Sequence, residues 1–195
     1  MKVVAFNGSP KSDGNTARLL RYALQELEAA GYETELVQVG GLPLRGCLAC
    51  GRCFEHRDGR CVNEMDEMND LIAKMIEADA ILLGSPTYFA DVSSEMKALI
   101  DRAGYVTRAN GNLLARKPAA AVTVNRRAGA VHAFDTINHF FLIGEMIVVG
   151  SSYWNIGVGL GPGDVDSDEE GIATMQTLGR NMAWLLERLE KGGRD

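Results

Sequence analysis

Cationic charge is scarce in this chain. Twenty lysines and arginines stand against 26 aspartates and glutamates, a formal net charge of −6. A nucleic-acid surface needs a basic patch to neutralise phosphates, so no nucleic-acid partner is expected. Long apolar runs are also missing. None approaches the roughly 20 residues that a bilayer-spanning helix requires, and no membrane partner is expected. Met1-Lys2 followed by the short apolar run Val3 to Phe6 is too brief for a signal peptide, so a cytoplasmic location is expected. Cysteine is limited to four residues, and in that compartment reduced thiols are expected in place of a disulfide scaffold. No repeat, low-complexity tract or linker divides the 195 residues. One domain over 1–195 follows, large enough to bury roughly 70% of its unfolded surface.

Two phosphate motifs are absent as well. In a Walker A loop, four residues separate two glycines and a lysine follows; here five separate Gly8 from Gly14, and Asn15 stands in the lysine's place. Gly-x-Gly-x-x-Gly does not occur, which removes the usual dinucleotide fingerprint. The loop has no cysteine, which removes a cysteine-nucleophile phosphatase of this architecture. What is present is Gly8-Ser9-Pro10-Lys11-Ser12-Asp13-Gly14-Asn15-Thr16, lying between the apolar Val3 to Phe6 and a helical pattern of Ala17, Leu19, Leu20, Ala23, Leu24 and Leu27. Strand, hydroxyl-rich loop and helix N-terminus make an anion site, because free N–H groups and the helix dipole face whatever sits there. Ser9, Lys11, Ser12, Gly14, Asn15 and Thr16 are its candidate residues, able to hold a phosphate without cleaving it. An ordinary turn and helix cap is the alternative.

Strand and helix patterns alternate along the rest of the chain. Strands are expected at 33–39, 80–84, 119–124 and 146–150, with Pro118 just ahead of the fourth. Helices are expected at about 65–78, 93–105, 130–143 and from 167 to about 190. Ser93 or Ser94 would cap the second of these, and Ser167 to Glu170 has capping-box spacing. The tail from Gly192 to Asp195 is expected to fray. Five apolar strands separated by helices argue for an open parallel sheet covered on both faces, with ligands beyond the carboxyl ends of the strands.

The loops after strands one, three, four and five would converge there. Ser85-Pro86-Thr87-Tyr88-Phe89 offers free N–H groups and aromatic surface to a flat heterocycle, or is a turn whose aromatics pack on the core. Asn125-Arg126-Arg127-Ala128-Gly129 brings two guanidinium groups to the same rim, where a cation stabilises an anionic reduced ring. Tyr153 and Trp154 would border the ring or form a subunit contact. The cysteines, Cys47, Cys50, Cys53 and Cys61, follow the pattern C-x2-C-x2-C-x7-C. Overlapping C-x-x-C steps place three thiolates about one centre, as a cubane 4Fe-4S cluster wants, whereas structural zinc more often uses two separate knuckles. Unliganded thiols are the third reading, and His56 is a further ligand candidate or a solvated loop residue. His132 and His139 share a helix face as packing or surface residues. The acidic run Asp164 to Glu170 reads as a solvated loop and helix start, and Met65, Met68 and Met75 as core filling.

Gly8-Ser9-Pro10-Lys11 with Gly14-Asn15-Thr16 resembles the FMN phosphate loop of the flavodoxin-like NAD(P)H-dependent FMN reductases. Ser85-Pro86-Thr87-Tyr88-Phe89 followed by Met96-Lys97-Ala98-Leu99-Ile100-Asp101-Arg102 resembles that family's flavin-ring loop and the helix after it. With the compact cysteine motif, the resemblance extends to the iron-sulfur flavoprotein branch and covers nearly the whole chain. It implies an α/β, flavodoxin-like three-layer sandwich with a five-stranded parallel sheet in the order 2-1-3-4-5. It implies FMN as cofactor, bound by the loops just named including Asn125, Arg126 and Gly129, and a homodimer or homotetramer. The activity implied is NAD(P)H-dependent reduction of a flavin, quinone or similar small acceptor, with no catalytic side chain. The alternatives are single-electron transfer from a ferredoxin-like partner through a 4Fe-4S cluster to FMN, or a flavin-binding redox sensor without turnover.

Overall fold

The computed structural model describes residues 1–192. The strands are β1 (Lys2–Asn7), β2 (Glu33–Gln38), β3 (Ala80–Pro86), β4 (Pro118–Asn125), β5 (Ile147–Val148) and β6 (Ile156–Val158). The helices are α1 (Asn15–Ala29), α2 (Arg52–His56), α3 (Met68–Glu77), α4 (Ser94–Ala109), α5 (Ala130–Ile143) and α6 (Glu169–Gly192). Every pairing in the sheet is parallel, and the order β2-β1-β3-β4-β5 is the one the resemblance implies.

Successive residues of each inner strand point to opposite faces, so two cores form. Val3, Ala5, Leu82 and Val122 pack beneath α1 and α6, while Val4, Phe6, Ile81 and Leu83 pack beneath α3, α4 and α5. Phe6 is fully buried, and removing a side chain of that kind from water stabilises by about 1.5–3 kcal/mol.

Several expectations need correction. The sheet has six strands, because the fifth position is divided between two short ones that both pair with β4. After Val149 the chain turns out through Ser151, whose hydroxyl donates to the Tyr153 carbonyl and to Asn155 Oδ1. Asn155 then fills the gap in the ladder: its Nδ2 donates to the Ala121 carbonyl at 2.9 Å, and its own carbonyl accepts from Thr123 N–H. The cap of α6 is Asp168 and not Ser167. The Asp168 carboxylate accepts from Gly171 N–H at 3.0 Å while Ser167 lies in a 3-10 turn. Met65 is 93% exposed in the loop before α3, whereas Met68 and Met75 are buried as expected. Gly192 ends α6, and the rest of the expected fraying tail, 193–195, lies outside the described residues.

The two helices on one face cross closely at Gly179 of α6. A Cβ there would lie 2.4 Å from the Ala23 carbonyl oxygen of α1. Alanine in a helix interior normally gains about 1 kcal/mol over glycine, but overpacking costs about 1–3 kcal/mol. Gly179→Ala is therefore expected to lower the urea midpoint; a rise would show that α1 and α6 separate without penalty.

Candidate functional site

β1, β3 and β4 lie side by side, so the loops leaving their carboxyl ends meet. The first two are tied directly. Gly8 N–H donates to the Gly84 carbonyl at 2.7 Å, and the buried Ser93 hydroxyl donates to the Gly8 carbonyl at 2.7 Å. That hydroxyl also caps α4 by accepting from Met96 N–H, and Ser93 N–H donates to Ser85 Oγ at 3.0 Å. Ser93, and not Ser94, is thus the cap, and it joins the phosphate-type loop to the aromatic loop.

The 8–16 loop is wound around Asn7, a buried residue that inspection of the loop alone does not single out. Its Nδ2 donates to Gln38 Oε1 at 2.8 Å and to the Lys11 carbonyl at 3.3 Å, while its Oδ1 accepts from Ser9 N–H. Gln38 Nε2 donates to the Ser9 and Gly40 carbonyls at 2.6 Å each. Gly40 passes so close that a Cβ would sit 2.3 Å from the Ser9 carbonyl carbon. A buried asparagine at the end of an apolar strand was the available signal.

Helix α1 starts without a side-chain cap, at Gly14. Its first intrahelical bond runs from Arg18 N–H to the Gly14 carbonyl, so the N–H groups of Asn15, Thr16 and Ala17 stand outside the ladder. Ser9 and Thr16 are buried and Lys11 and Ser12 exposed around them. Asp13 is an acid in an anion site, but Arg21 and Arg18 both bond its carboxylate, hold it below the usual carboxylate range and offset its charge. Asn15 is committed elsewhere: Nδ2 donates to the Gly161 carbonyl and Oδ1 accepts from Gly163 N–H, both at 2.9 Å. The acidic run is likewise not merely solvated. Asp164 accepts from Leu160 and Gly161 N–H, Asp166 bonds Arg18 and Tyr22, and Asp168 accepts from Val158 N–H. Asp164 and Asp168 fold the 157–168 segment on itself, and Asp166 ties it to α1.

After β3, Ser85 is fully buried and Tyr88 to Asp91 close a tight turn, with N–H to carbonyl bonds of 2.8 and 3.1 Å in the two directions. Phe89 and Ala90 sit at φ 49° and 65°, a left-handed conformation costing non-glycine residues roughly 1–2 kcal/mol each. The turn carries Phe89 out fully exposed and Tyr88 half exposed. Asp91 braces it, accepting from Val92 N–H and the Thr136 hydroxyl at 2.8 Å each. Gly129, at φ 88°, abuts it from the β4 loop; a Cβ there would be 3.2 Å from Ala90. Arg126 and Arg127 are exposed on that loop. Thr87 Oγ1, just after β3, and Asn125 Oδ1, at the end of β4, are buried without a hydrogen-bond partner among the described residues. Native interiors rarely leave such atoms unpaired.

The four cysteines are free and line one cavity of about 120 Å³, walled by Leu48, Phe54, Val62, Tyr105 and Val106. Left-handed Ala49, Gly51 and Arg57 wind the segment around α2. Cys61 is fixed by Asn69, whose Oδ1 accepts from Cys61 N–H at 2.8 Å and whose Nδ2 donates to its carbonyl. Burial pushes the Cys53 thiol up, and Cys47 and Cys50 add to this, against the pull of nearby backbone N–H groups. Among the described residues, no three His, Cys, Asp or Glu side chains come together closely enough to hold a metal ion. The four cysteines line that cavity without converging on a point. His56 is exposed and does not line the cavity.

Both ends of the cysteine segment are pinned by Arg102 of α4. Its Nη1 donates to both Asp66 oxygens, at 2.6 and 2.8 Å, and to the Arg45 carbonyl; its Nη2 donates to the Asn63 carbonyl at 2.7 Å. Burial pushes the Asp66 carboxyl up, but the Arg45 N–H and the Arg102 guanidinium outweigh it and hold Asp66 below the usual carboxylate range.

A family model described as NADPH-dependent FMN reductase matches residues 1–161. An iron-sulfur flavoprotein of Methanocaldococcus jannaschii is 38% identical over 198 residues, covering 98% of this chain and all of that protein. An iron-sulfur flavoprotein of Methanosarcina thermophila is 30% identical over 193 residues, 98% of each chain. Among solved structures, the WrbA-like flavodoxin of Agrobacterium tumefaciens superposes with a TM-score of 0.66 at 15% identity, covering 96% of this chain and 97% of that one. That likeness establishes the flavodoxin-like fold. No helix among the described residues is long and apolar enough to cross a membrane.

Removing one partner of a buried ion pair strands the other charge, at about 3–5 kcal/mol. Asp66→Ala is expected to lose stability on that order in urea titration at pH 7. Because the folded carboxyl is depressed, the wild-type contribution is present above the ordinary aspartate pKa and is lost as pH falls through the lower folded value. The gap between variant and wild type should narrow only in acid; a gap independent of pH would contradict the assignment.

Proposed function

The chain belongs to the NADPH-dependent FMN reductase family, and from that premise we propose that it is a flavin-dependent oxidoreductase holding FMN at the carboxyl ends of β1, β3 and β4. The observation that carries this is the tie between an uncapped helix N-terminus and an aromatic loop whose neighbourhood holds two orphaned polar atoms, Thr87 Oγ1 and Asn125 Oδ1. The N–H groups of Asn15, Thr16 and Ala17, with the hydroxyls of Ser9, Ser12 and Thr16 and the Lys11 ammonium, take the phosphate charge. Asn15 acts by holding the 161–163 segment against this loop. Ser85 and Pro86 position the Thr87–Phe89 turn, Thr87 and Asn125 meet the ring's polar edge, and Gly129 leaves room for the turn. Arg126 supplies a cation at the rim. FMN, when bound, supplies the electron chemistry. The exposed Phe89, Tyr153 and Trp154 support a homodimer or homotetramer that covers this rim.

For the second centre, the reading follows the cysteines. A single tetrahedral ion needs ligands that converge, whereas a cubane cluster bonds each thiolate to a different iron and so needs thiols spaced around a void. Cys47, Cys50, Cys53 and Cys61 around one cavity fit the second description. We therefore place an iron-sulfur cluster there, as the names of the full-length relatives suggest, and single-electron delivery from a ferredoxin-like donor ahead of hydride delivery from NAD(P)H. The family's description favours NAD(P)H as the competing donor. A reducing cytoplasm suits four ligating thiols.

Protein purified without oxygen is expected to show flavin absorbance over a broad iron-sulfur background, with iron and acid-labile sulfide in equal amounts. Flavin absorbance without iron, together with steady NADH or NADPH oxidation, would return the function to a nicotinamide-dependent reductase; a flavin protein that turned over neither donor would point to a sensor. Thr16→Val is expected to weaken FMN binding by about 1–3 kcal/mol in a fluorescence titration. Unchanged affinity would remove its hydroxyl from the phosphate site.

A further inference from the structure

Arg102 is the only charged residue among the described residues that is buried outright, at 1% exposure. The Asp66 pair and the carbonyls of Arg45 and Asn63 occupy both terminal nitrogens, but Nε is buried with no partner. The same residue lines the cysteine cavity. Besides backbone, the polar side-chain atoms around that cavity are the four thiol sulfurs, Asn63 and the Tyr105 hydroxyl; the remaining side chains are apolar. A buried cation with one unsatisfied N–H is costly, and the acceptor this cavity offers most abundantly is sulfur.

We propose that Arg102 Nε–H donates a hydrogen bond to a sulfur of the group held by Cys47, Cys50, Cys53 and Cys61, and that this bond sets how readily the group accepts an electron. The proposal rests on the cluster reading above. A cluster core with four thiolates carries net negative charge that grows by one unit on reduction, with no bond made or broken in the protein. A hydrogen bond from a cation favours the more negative state, and hydrogen bonds to sulfur are among the levers by which proteins move iron-sulfur potentials. Asp66 and the Arg45 carbonyl on Nη1, with the Asn63 carbonyl on Nη2, fix the guanidinium plane, so Nε keeps one direction. Arg102 thus has two linked parts: it pins the ends of the cysteine segment, and its fifth donor acts on what that segment holds.

Arg102→Lys retains a positive charge opposite Asp66 but has no nitrogen at the Nε position. In redox titration of the anaerobically purified holoprotein, the variant's cluster is expected to reduce at a more negative potential than wild type, at equal iron and sulfide content. A fully loaded variant with the wild-type potential overturns the proposal. A second measurement needs no variant. Wild-type protein grown on arginine carrying 15N only in the guanidino group, then reduced, is expected to show a 15N coupling to the cluster in pulsed EPR. No coupling overturns the proposal even where Arg102→Lys fails to fold. Wild-type protein lacking iron and sulfide overturns the cluster reading, and the proposal with it.

Discussion

The structure depends on holding the carboxyl ends of β1 and β3 together. Two 2.7 Å hydrogen bonds do this, from Gly8 N–H to the Gly84 carbonyl and from Ser93 Oγ to the Gly8 carbonyl. Because Ser93 also caps α4, the phosphate-type loop, the aromatic loop and the start of α4 form one unit. The loop needs no internal rigidity of its own. Asn7 and Gln38, paired in register on β1 and β2, hold it from beneath, and the Asn15 amide ties it to Gly161 and Gly163. At this rim, strain sits in the Phe89-Ala90 turn, whose left-handed backbone is braced by Asp91 and Gly129. Such strain is retained where an exposed aromatic has a use.

Helix α4 links the two candidate sites. Its N-terminus sits under the aromatic loop and its middle walls the cysteine cavity. Ser94 and Arg102 are eight residues apart, about 12 Å of helix axis. The cysteine cavity and the loops at the strand ends are therefore joined by one helix.

Much of this was legible in the residues. Alternating apolar runs and helical periods revealed the doubly wound sheet, since a parallel sheet buries its strands on both faces and leaves a nearly continuous hydrophobic trace. Gly8 to Thr16, Ser85 to Phe89 and the cysteines stood out because their composition is unlike the elements around them. The unforeseen features are those where polar side chains substitute for backbone. Asn155 replaces a missing stretch of the fifth strand, Asn7 organises a loop from inside the sheet, and Asp166 bonds Arg18 and Tyr22, which only the fold brings near. The Asn15 amide bonds a segment nearly 150 positions away, which no local pattern announces. Arg102 was visible only as part of a helix; its ion pair with Asp66 required the cysteine segment to fold back onto α4.

The central claim is that this fold grips a phosphomonoester at the start of α1 and lays a flat ring across the later loops. Parallel titration of the apoprotein with FMN and riboflavin tests it most directly, because the two ligands differ only in the phosphate. Charge-assisted hydrogen bonds of about 1.5–3 kcal/mol each predict that FMN binds at least tenfold more tightly, and that the difference shrinks as inorganic phosphate is added. Equal affinities for the two ligands would contradict the account.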